Sequence, residues 1–269
     1  GFGQLVRRAL DGRIADCPLD CGGRVGLNKG EARLGATSKR RITKEVMGRA
    51  KEYFTGARPS HDWSHTERVY QTCLKIGPRE GADCFVLGLA ALLHDIGRED
   101  EYASNGAVCH AEASLAKARE ILSGYDLPAG DLENVLHCIA AHRYRGEVAP
   151  STLEARVLSD ADKLDALGAI GVARAYLWLG EFGRPLYDEP ESSDDVMARL
   201  PEDDSLQREW LVKLRYLKDR MHTESARRIA ASRHRYMERY LRRLERSERA
   251  GLNSAKGTSL SQKGEQCDA

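Results

Sequence analysis

The chain lacks an apolar run of the roughly 20 residues that a membrane-spanning helix requires. Aromatic residues are also scarce, at 6% of the sequence. Its 42 lysines and arginines balance 41 aspartates and glutamates, which gives a formal net charge of +1. A chain without an excess of either charge has no overall field that would attract nucleic acid or an anionic membrane. We therefore expect a protein that binds neither.

The seven cysteines are an odd number and are irregularly spaced, which argues against a disulfide framework. Cys73, Cys84 and Cys138 fall in apolar helical patterns, as is typical of reduced thiols in the cytoplasm, where we expect the protein to reside. Cys17 and Cys21 have the spacing of half a zinc site, but no second Cys or His pair follows nearby. A poorly ordered N-terminal extension is the better interpretation of residues 1–40, which are rich in Gly and Arg.

Strand-like alternation of Val, Ile and Thr is missing too, and so are the Gly-x-Ser-x-Gly elbow and a Gly-x-Gly-x-x-Gly motif after a strand. From Ile42 onward apolar residues recur at helical spacing, which predicts an all-α fold with one domain over residues 41–249. Residues 206–249 read as a long amphipathic C-terminal helix, which could pair with a second copy in a homodimer. The Gly-, Ser- and Lys-rich residues 250–269 are predicted to be a disordered tail.

The most informative stretch, residues 90–97, is an apolar run that ends in adjacent His94 and Asp95 before Gly97. Gly97 predicts the end of that helix, with a loop after it. An imidazole and a carboxylate at the end of a buried helix are costly unless a metal or another partner satisfies them. Further candidate ligands occur on both sides, at His61 and His65 upstream and at Asp160 downstream. Nitrogen and carboxylate ligands without a thiolate are typical of an open catalytic metal site.

The ordered set His65, His94-Asp95 and Asp160 resembles the H…HD…D pattern of the HD superfamily of metal-dependent phosphohydrolases, in particular its nucleotide pyrophosphohydrolase-like members. The segment Asp-Ala-Asp-Lys-Leu-Asp that begins at Asp160 makes the resemblance more specific than a bare His-Asp pair. It covers about residues 42–246 and implies an HD-domain helical bundle. It also implies that these four residues bind one divalent metal, Mn first, with Mg, Co, Ni, Fe or Zn as alternatives.

The resemblance further implies a hydrolase that uses metal-activated water to cleave a phosphoester or phosphoanhydride, with a nucleotide as the expected substrate. Asp95 would hold both metal and water, and Lys163 would act with it in catalysis. The candidates for contacts with the substrate phosphate are His61, Arg98, His110, His142 and Arg143. We interpret Asp162 and Asp165 as ion-pairing or capping residues, with a contact to the site as the alternative.

The same residues are also consistent with two other functions. Extra histidines such as His110 and His142 could hold a second metal, as in HD folds that use two irons for oxygenation. The domain could alternatively be a non-catalytic nucleotide-binding regulator. One departure from the resemblance is Arg98, which stands three residues after Asp95, where some HD nucleotidases have a Glu. Nucleotidase activity on 5'-monophosphates is therefore not carried over.

Overall fold

The computed structural model describes residues 34–143, 148–188 and 205–259 of the chain, with side chains up to residue 250. Within these ranges the secondary structure is helical, without a strand, which confirms the predicted all-α class. Two 3₁₀ turns, Pro59–His61 and Leu214–Arg220, accompany the α-helices. The α-helices are α1 (Ala36–Glu52), α2 (Trp63–Glu80), α3 (Cys84–Leu93), α4 (Arg98–Ala103), α5 (His110–Leu122), α6 (Ala129–Ala141), α7 (Leu153–Asp165), α8 (Gly168–Glu181), α9 (Leu206–Val212) and α10 (Glu224–Ser259).

The chain divides into two compact units, a division that the sequence pattern does not predict. One unit comprises Gly1–Asp165 and Arg220–Ile229, and the other comprises Ala166–Asp219 and Ala230–Ala269. All the residues of the candidate site lie in the first unit. We describe each unit by itself.

Helix α3 is the centre of the first unit. All ten of its residues are buried, and it packs against α1, α2, α6 and α7. A helix that is surrounded in this way is apolar on every side, because no face meets water. The carboxylate of Asp83 caps its N-terminus by accepting hydrogen bonds from the backbone N–H groups of Phe85 and Val86. The last turn of α3 thus delivers His94 and Asp95 into the middle of the unit.

Several helix boundaries differ from the predictions. Helix α2 is capped by Asp62, whose side chain accepts a hydrogen bond from the Ser64 N–H. Helix α4 lies where a loop was predicted after Gly97. The predicted continuous helix over residues 206–249 is divided into α9, a 3₁₀ turn and α10. Its apolar spacing continues across the break, so that periodicity alone does not reveal it.

The predicted ends of the domain also differ. Helix α1 begins at Ala36, within the predicted extension, and α10 continues to Ser259, within the predicted disordered tail. The first turn of α1 lacks buried apolar residues, which is why its pattern is visible only from Ile42 onward. The Cys17–Cys21 pair and the residues after 259 lie outside the described ranges, as do residues 189–204.

The second unit contains α8, α9 and most of α10. In α8, Gly171 lies so close to the preceding chain that a Cβ there would be 2.2 Å from the carbonyl oxygen of Ala166. The outward face of α10 is basic, as expected for a solvated face. Its exposed arginines include Arg239, Arg242, Arg243 and Arg246. Among the described helices, none combines the length and apolarity needed to cross a membrane.

Candidate metal centre

Two histidines bind the protein through Nδ1 and turn Nε2 toward one place. His65, on α2, places its Nδ1 2.8 Å from Asp165 Oδ2, and His94, just after α3, places its Nδ1 2.8 Å from the carbonyl oxygen of Ala91. A carboxylate and a carbonyl can only accept, so each Nδ1 carries the proton and donates it. Each ring therefore carries its lone pair on Nε2, the form in which an imidazole can bind a metal.

The carboxylates of Asp95 and Asp162 complete the arrangement. His65 Nε2 lies 3.4 Å from Asp162 Oδ1 and 3.6 Å from Asp95 Oδ2, while His94 Nε2 lies 3.9 Å from Asp95 Oδ2. These distances are long for hydrogen bonds, but two ligands that are each about 2.1 Å from one ion are about 3.0–4.2 Å apart. His94 Nε2 is also buried without a hydrogen-bond partner among the described residues. His65, His94 and Asp162 offer ligand atoms that all lie within 4.8 Å of one another, and Asp95 Oδ2 lies beside the two histidine nitrogens.

Asp160, expected to be the last ligand, lies outside this group of side chains, whereas Asp162 lies within it. The Asp160 carboxylate is fully buried and accepts hydrogen bonds from the backbone N–H groups of His222 and Thr223 and from the Thr223 hydroxyl, at 2.8–3.1 Å. Asp160 therefore joins α7 to the start of α10. Only the three-dimensional arrangement reveals this correction, because both aspartates belong to the same short motif.

Burial sets the protonation of the cluster. It lowers the pKa of His94 to about 4, so that the ring is neutral at neutral pH and can bind a metal without first losing a proton. Burial alone would raise the pKa of Asp95, but the Arg98 guanidinium and the surrounding histidines outweigh it and hold that pKa well below its ordinary value. Burial would likewise raise the pKa of Asp162, but the neighbouring His65 outweighs it and lowers that pKa.

A second group of possible ligands shares Asp95. His110, at the start of α5, and His142, just after α6, bring their Nε2 atoms to 3.3 Å from each other. These atoms lie 3.7 and 3.6 Å from Asp95 Oδ1. The two oxygens of Asp95 therefore face different groups, Oδ2 toward His65 and His94 and Oδ1 toward His110 and His142. Burial lowers the pKa of His110 to about 4 as well.

Arg98 lies inside the site and is bound by acidic groups. Its Nη2 lies 2.9 Å from Asp95 Oδ1 and 3.1 Å from Asp95 Oδ2. Its Nη1 lies 2.8 Å from Glu101 Oε2 and 3.1 Å from His110 Nδ1. The structure therefore brings Arg98 to the centre, as predicted, but its guanidinium is directed at Asp95 rather than held out for a substrate.

The other predicted residues lie at different distances from the centre. The His61 ring is centred 6.1 Å from that of His65, and its Nδ1 lies 2.8 Å from the hydroxyl of Tyr102. Arg143 is more exposed, with its Nη2 3.5 Å from Glu101 Oε1. His61 and Arg143 thus stand near the histidines of the two groups.

Lys163 is directed to the Asp160 side of α7. Its ammonium donates to Ser159 Oγ at 2.8 Å and lies 3.9 Å from Asp160 Oδ1. Residues three apart share one face of a helix, so Asp160 and Lys163 form one pair and Asp162 and Asp165 form another. The second pair faces His65. This spacing groups Asp162 with Asp165 in the sequence, but it does not tell which of the two pairs faces the histidines.

Three residues of the site were not predicted. Arg68 binds both oxygens of Asp165 at 2.7 and 2.9 Å, which holds the carboxylate that orients His65. Glu101 lies on α4, in the predicted loop, and its Oε2 is 2.9 Å from His110 Nδ1. Tyr102 follows it on the same helix. Because the helix was not predicted, no periodicity pointed to these two side chains.

Comparison with known proteins gives the family of the chain. The HD domain family model matches residues 62–167. The Bacillus subtilis protein YpgQ is 32% identical over 190 residues, which are 69% of this chain and 83% of that protein. This chain belongs to the HD superfamily.

Solved HD structures agree with the fold. YpgQ in its crystal structure with ADP is 29% identical, with a TM-score of 0.58 over 78% of this chain and 96% of that one. A HD-superfamily hydrolase from Bacillus thuringiensis is 31% identical, with a TM-score of 0.60 over 79% of this chain and 99% of that one. Membership of this superfamily supports a metal-dependent phosphohydrolase in general.

Proposed function

We propose that the protein is a phosphohydrolase in which one divalent cation, with Mn as the first choice, is held by His65, His94, Asp95 and Asp162. The observation that carries the proposal is the convergence of two Nε2 lone pairs and two carboxylates from α2, α7 and the end of α3. One of these nitrogens, in His94, is buried and has no hydrogen-bond partner within the part of the chain that the structure describes. A buried lone pair of this kind is costly unless a cation fills the space in front of it.

A divalent cation, when bound, makes water nucleophilic at neutral pH and polarises a phosphoryl oxygen. The residues of the chain supply the orientation. Asp165 and Arg68 fix the ring of His65, and the carbonyl of Ala91 fixes the ring of His94. Because its pKa is held low, Asp95 is a weak base, and it acts as a ligand and hydrogen-bond acceptor that orients the attacking water.

The proposed substrate is a nucleotide, and its phosphoester or phosphoanhydride bond is the one cleaved. Support for a nucleotide comes from YpgQ, which was crystallised with ADP. His61, His110, His142 and Arg143 stand around the four ligands as candidate contacts for phosphate oxygens. Lys163, predicted to be catalytic, is assigned a more indirect part, since its ammonium is engaged by Ser159 and Asp160.

One specific observation favours the oxygenase alternative, and it concerns the second group of possible ligands. Asp95, His110 and His142 offer three ligand atoms within 4.8 Å of one another, and Asp95 could bridge two ions. A di-iron oxygenase would require iron at both groups. Metal content therefore separates the two functions before any substrate is known.

The experiment measures metal and product together. Protein stripped with a chelator is reloaded with Mn, and its metal content is determined by elemental analysis. The same samples are incubated with nucleoside mono-, di- and triphosphates, and released phosphate and pyrophosphate are quantified. The wild type is compared with His94→Ala and Asp162→Ala, and Asp126→Asn, on an exposed loop, is the matched control.

We expect one Mn per chain and hydrolysis in the wild type and in Asp126→Asn, with both lost in the two ligand variants. Two irons per chain in protein purified without added metal, with oxygen consumed, would favour the oxygenase instead. Hydrolysis that survives full removal of metal would refute the proposal.

A further inference from the structure

The exposed face of α10 carries a row of arginines. Its members follow one another at steps of four, three and four residues, and all are exposed: Arg235, Arg239, Arg242 and Arg246. Such steps keep side chains on one face of a helix, so the row extends over about 16 Å at a rise of about 1.5 Å per residue. Arg243, which is also exposed, lies beside it. These five residues are called the arginine row.

No ion pair joins the arginine row to a carboxylate within the part of the chain that the structure describes. Nearby glutamates have other partners, Glu245 at 2.8 Å from Arg249 and Glu238 at 3.7 Å from His234. Arg246 donates from Nε to the carbonyl oxygen of Arg242 at 3.2 Å, a bond that does not involve its two terminal nitrogens. Like charges one turn apart repel each other and destabilise a helix. An anionic partner would therefore relieve a repulsion that the fold leaves in place.

The balanced total of charges conceals this local excess. Residues 188–204 contain eight acidic residues and one arginine, whereas residues 233–249 contain seven arginines and three glutamates. A net charge of +1 averages over both stretches and does not describe the field at one face of the molecule. The expectation that the chain does not bind nucleic acid was drawn from that net charge, so it does not extend to the face of α10.

The chemistry of the row favours phosphate as the anion. Residues 224–250 of α10 contain arginines but no lysine. A planar guanidinium can donate two parallel hydrogen bonds to one phosphate, whereas an ammonium acts as a point charge. Successive members of the row are about 4.5–6 Å apart along the helix axis. A chain of linked phosphates can therefore contact several members at once.

An exposed aromatic ring lies beside the arginines. Tyr236 is 40% exposed and stands three residues before Arg239, so the two share one face. Single-stranded nucleic acids bind where aromatic rings stack on unpaired bases beside a basic track. A membrane surface instead takes up the apolar face of a helix. That face of α10 is already packed, because Met237 is buried and the His234 ring lies 4.8 Å from the Trp210 ring of α9.

We propose that the arginine row and Tyr236 form a docking surface for single-stranded nucleic acid, with phosphates on the guanidinium groups and a base stacked on the tyrosine ring. All the residues of this surface belong to the second unit, whereas the candidate metal centre belongs to the first. The proposal therefore does not depend on the proposed hydrolase function.

The test measures binding of fluorescently labelled RNA and DNA single strands of about 16 nucleotides to the full chain, by anisotropy. Titrations are repeated between about 50 and 200 mM salt. Duplex DNA of the same length, phosphatidylserine vesicles and poly-glutamate are the competing probes. They distinguish a single strand from a duplex, a membrane and an acidic protein.

One variant removes three charges from the row, Arg239→Gln/Arg242→Gln/Arg246→Gln. Glutamine has about the helix propensity of arginine, so the helix should be retained, and circular dichroism checks this. Tyr236→Ala removes the stacking ring.

The matched control removes the same charge from exposed positions on α1, α2 and α5, in Arg40→Gln/Arg79→Gln/Arg119→Gln. It separates the effect of the row from the effect of net charge.

If all five arginines contact phosphates, log Kobs should fall with log salt at a slope of about −3.5, which is a loss of about 100-fold between about 50 and 200 mM. The variant of the row should reduce the slope by about 2, while the matched control keeps the slope of the wild type. Tyr236→Ala should weaken binding of single strands by about fivefold or more.

Three results would overturn the proposal. The first is an absence of binding by the wild type at the lowest salt, whether the row is only solvated or is covered by the acid-rich residues 188–204. The second is equal binding by the variant of the row and the matched control. The third is binding of duplex, vesicles or poly-glutamate that is as tight as binding of a single strand.

Discussion

Replacing Asp160 or Asp162 by asparagine makes the same chemical change at two positions in α7. The two carboxylates have different contacts in the structure. Asp160 accepts hydrogen bonds from the backbone at the start of α10, and Asp162 faces the Nε2 of His65. We therefore expect Asp160→Asn to lower stability and Asp162→Asn to weaken metal binding by about 100-fold or more.

The stability loss at Asp160 follows from its contacts. Its oxygens accept from the His222 N–H at 2.9 Å, the Thr223 N–H at 2.8 Å and the Thr223 hydroxyl at 2.8 Å, and the residue is fully buried. An amide keeps one accepting oxygen but turns its NH₂ group toward donors. With hydrogen bonds to a charged group contributing about 1.5–3 kcal/mol each, the loss is about 3 kcal/mol. For a domain of this size, that lowers Tm by about 6–12 °C.

The Asp162→Asn substitution should affect metal affinity more than it affects the stability of the metal-free protein. Removing a residue that only orients a metal ligand weakens binding by about 10–100-fold, so loss of a ligand itself should cost about 100-fold or more. The Asp162 side chain is 27% exposed, and its partner is a histidine nitrogen. We therefore expect the Tm of the metal-free protein to fall less than in Asp160→Asn.

Calorimetric titration with Mn and differential scanning calorimetry of the metal-free variants measure the two effects separately. Asp126→Asn, on an exposed loop, controls for the substitution itself. The reasoning is refuted if Asp160→Asn loses Mn at unchanged Tm while Asp162→Asn retains it.

Three further predictions concern the surroundings of the ligands. Asp165→Asn should weaken Mn binding by about 10–100-fold in calorimetric titration, because Asp165 orients His65 through its Nδ1 at 2.8 Å. Burial lowers the pKa of His94 and His110 from 6.5 to about 4. Between about pH 4 and pH 6.5 the unfolded state therefore binds more protons than the folded state. Denaturant unfolding of the metal-free protein should therefore show stability falling from about pH 6.5 to pH 4, by up to about 3 kcal/mol per histidine. Lys163→Met should reduce kcat by less than about tenfold in steady-state assays while lowering Tm by several degrees, since its ammonium bonds Ser159.

Each of these has a contrary result. Unchanged Mn affinity in Asp165→Asn would mean that His65 is oriented by other contacts. A flat stability profile over that pH window would mean that the two rings are not buried as neutral bases. A loss of kcat beyond about 100-fold in Lys163→Met at unchanged Tm would return Lys163 to the catalytic step as first predicted.

Local patterns in the sequence determined the fold class and most of the site. Apolar spacing predicts helices, and an apolar run that ends in His94 and Asp95 can be recognised because burying such a pair requires compensation. His65 was found because it belongs to the same ordered motif. Periodicity missed helix α4 and the break before α10, because short helices and capped junctions leave little apolar signal.

The tertiary structure decided which aspartate of the Asp-Ala-Asp motif faces the histidines. Two residues apart on one helix, Asp160 and Asp162 point to different neighbours, and the neighbours come from distant parts of the chain: α2 on one side and the start of α10 on the other. It also decided that Arg98 binds Asp95. A sequence determines which side chains are present, but the direction of each lone pair and charge depends on packing between helices.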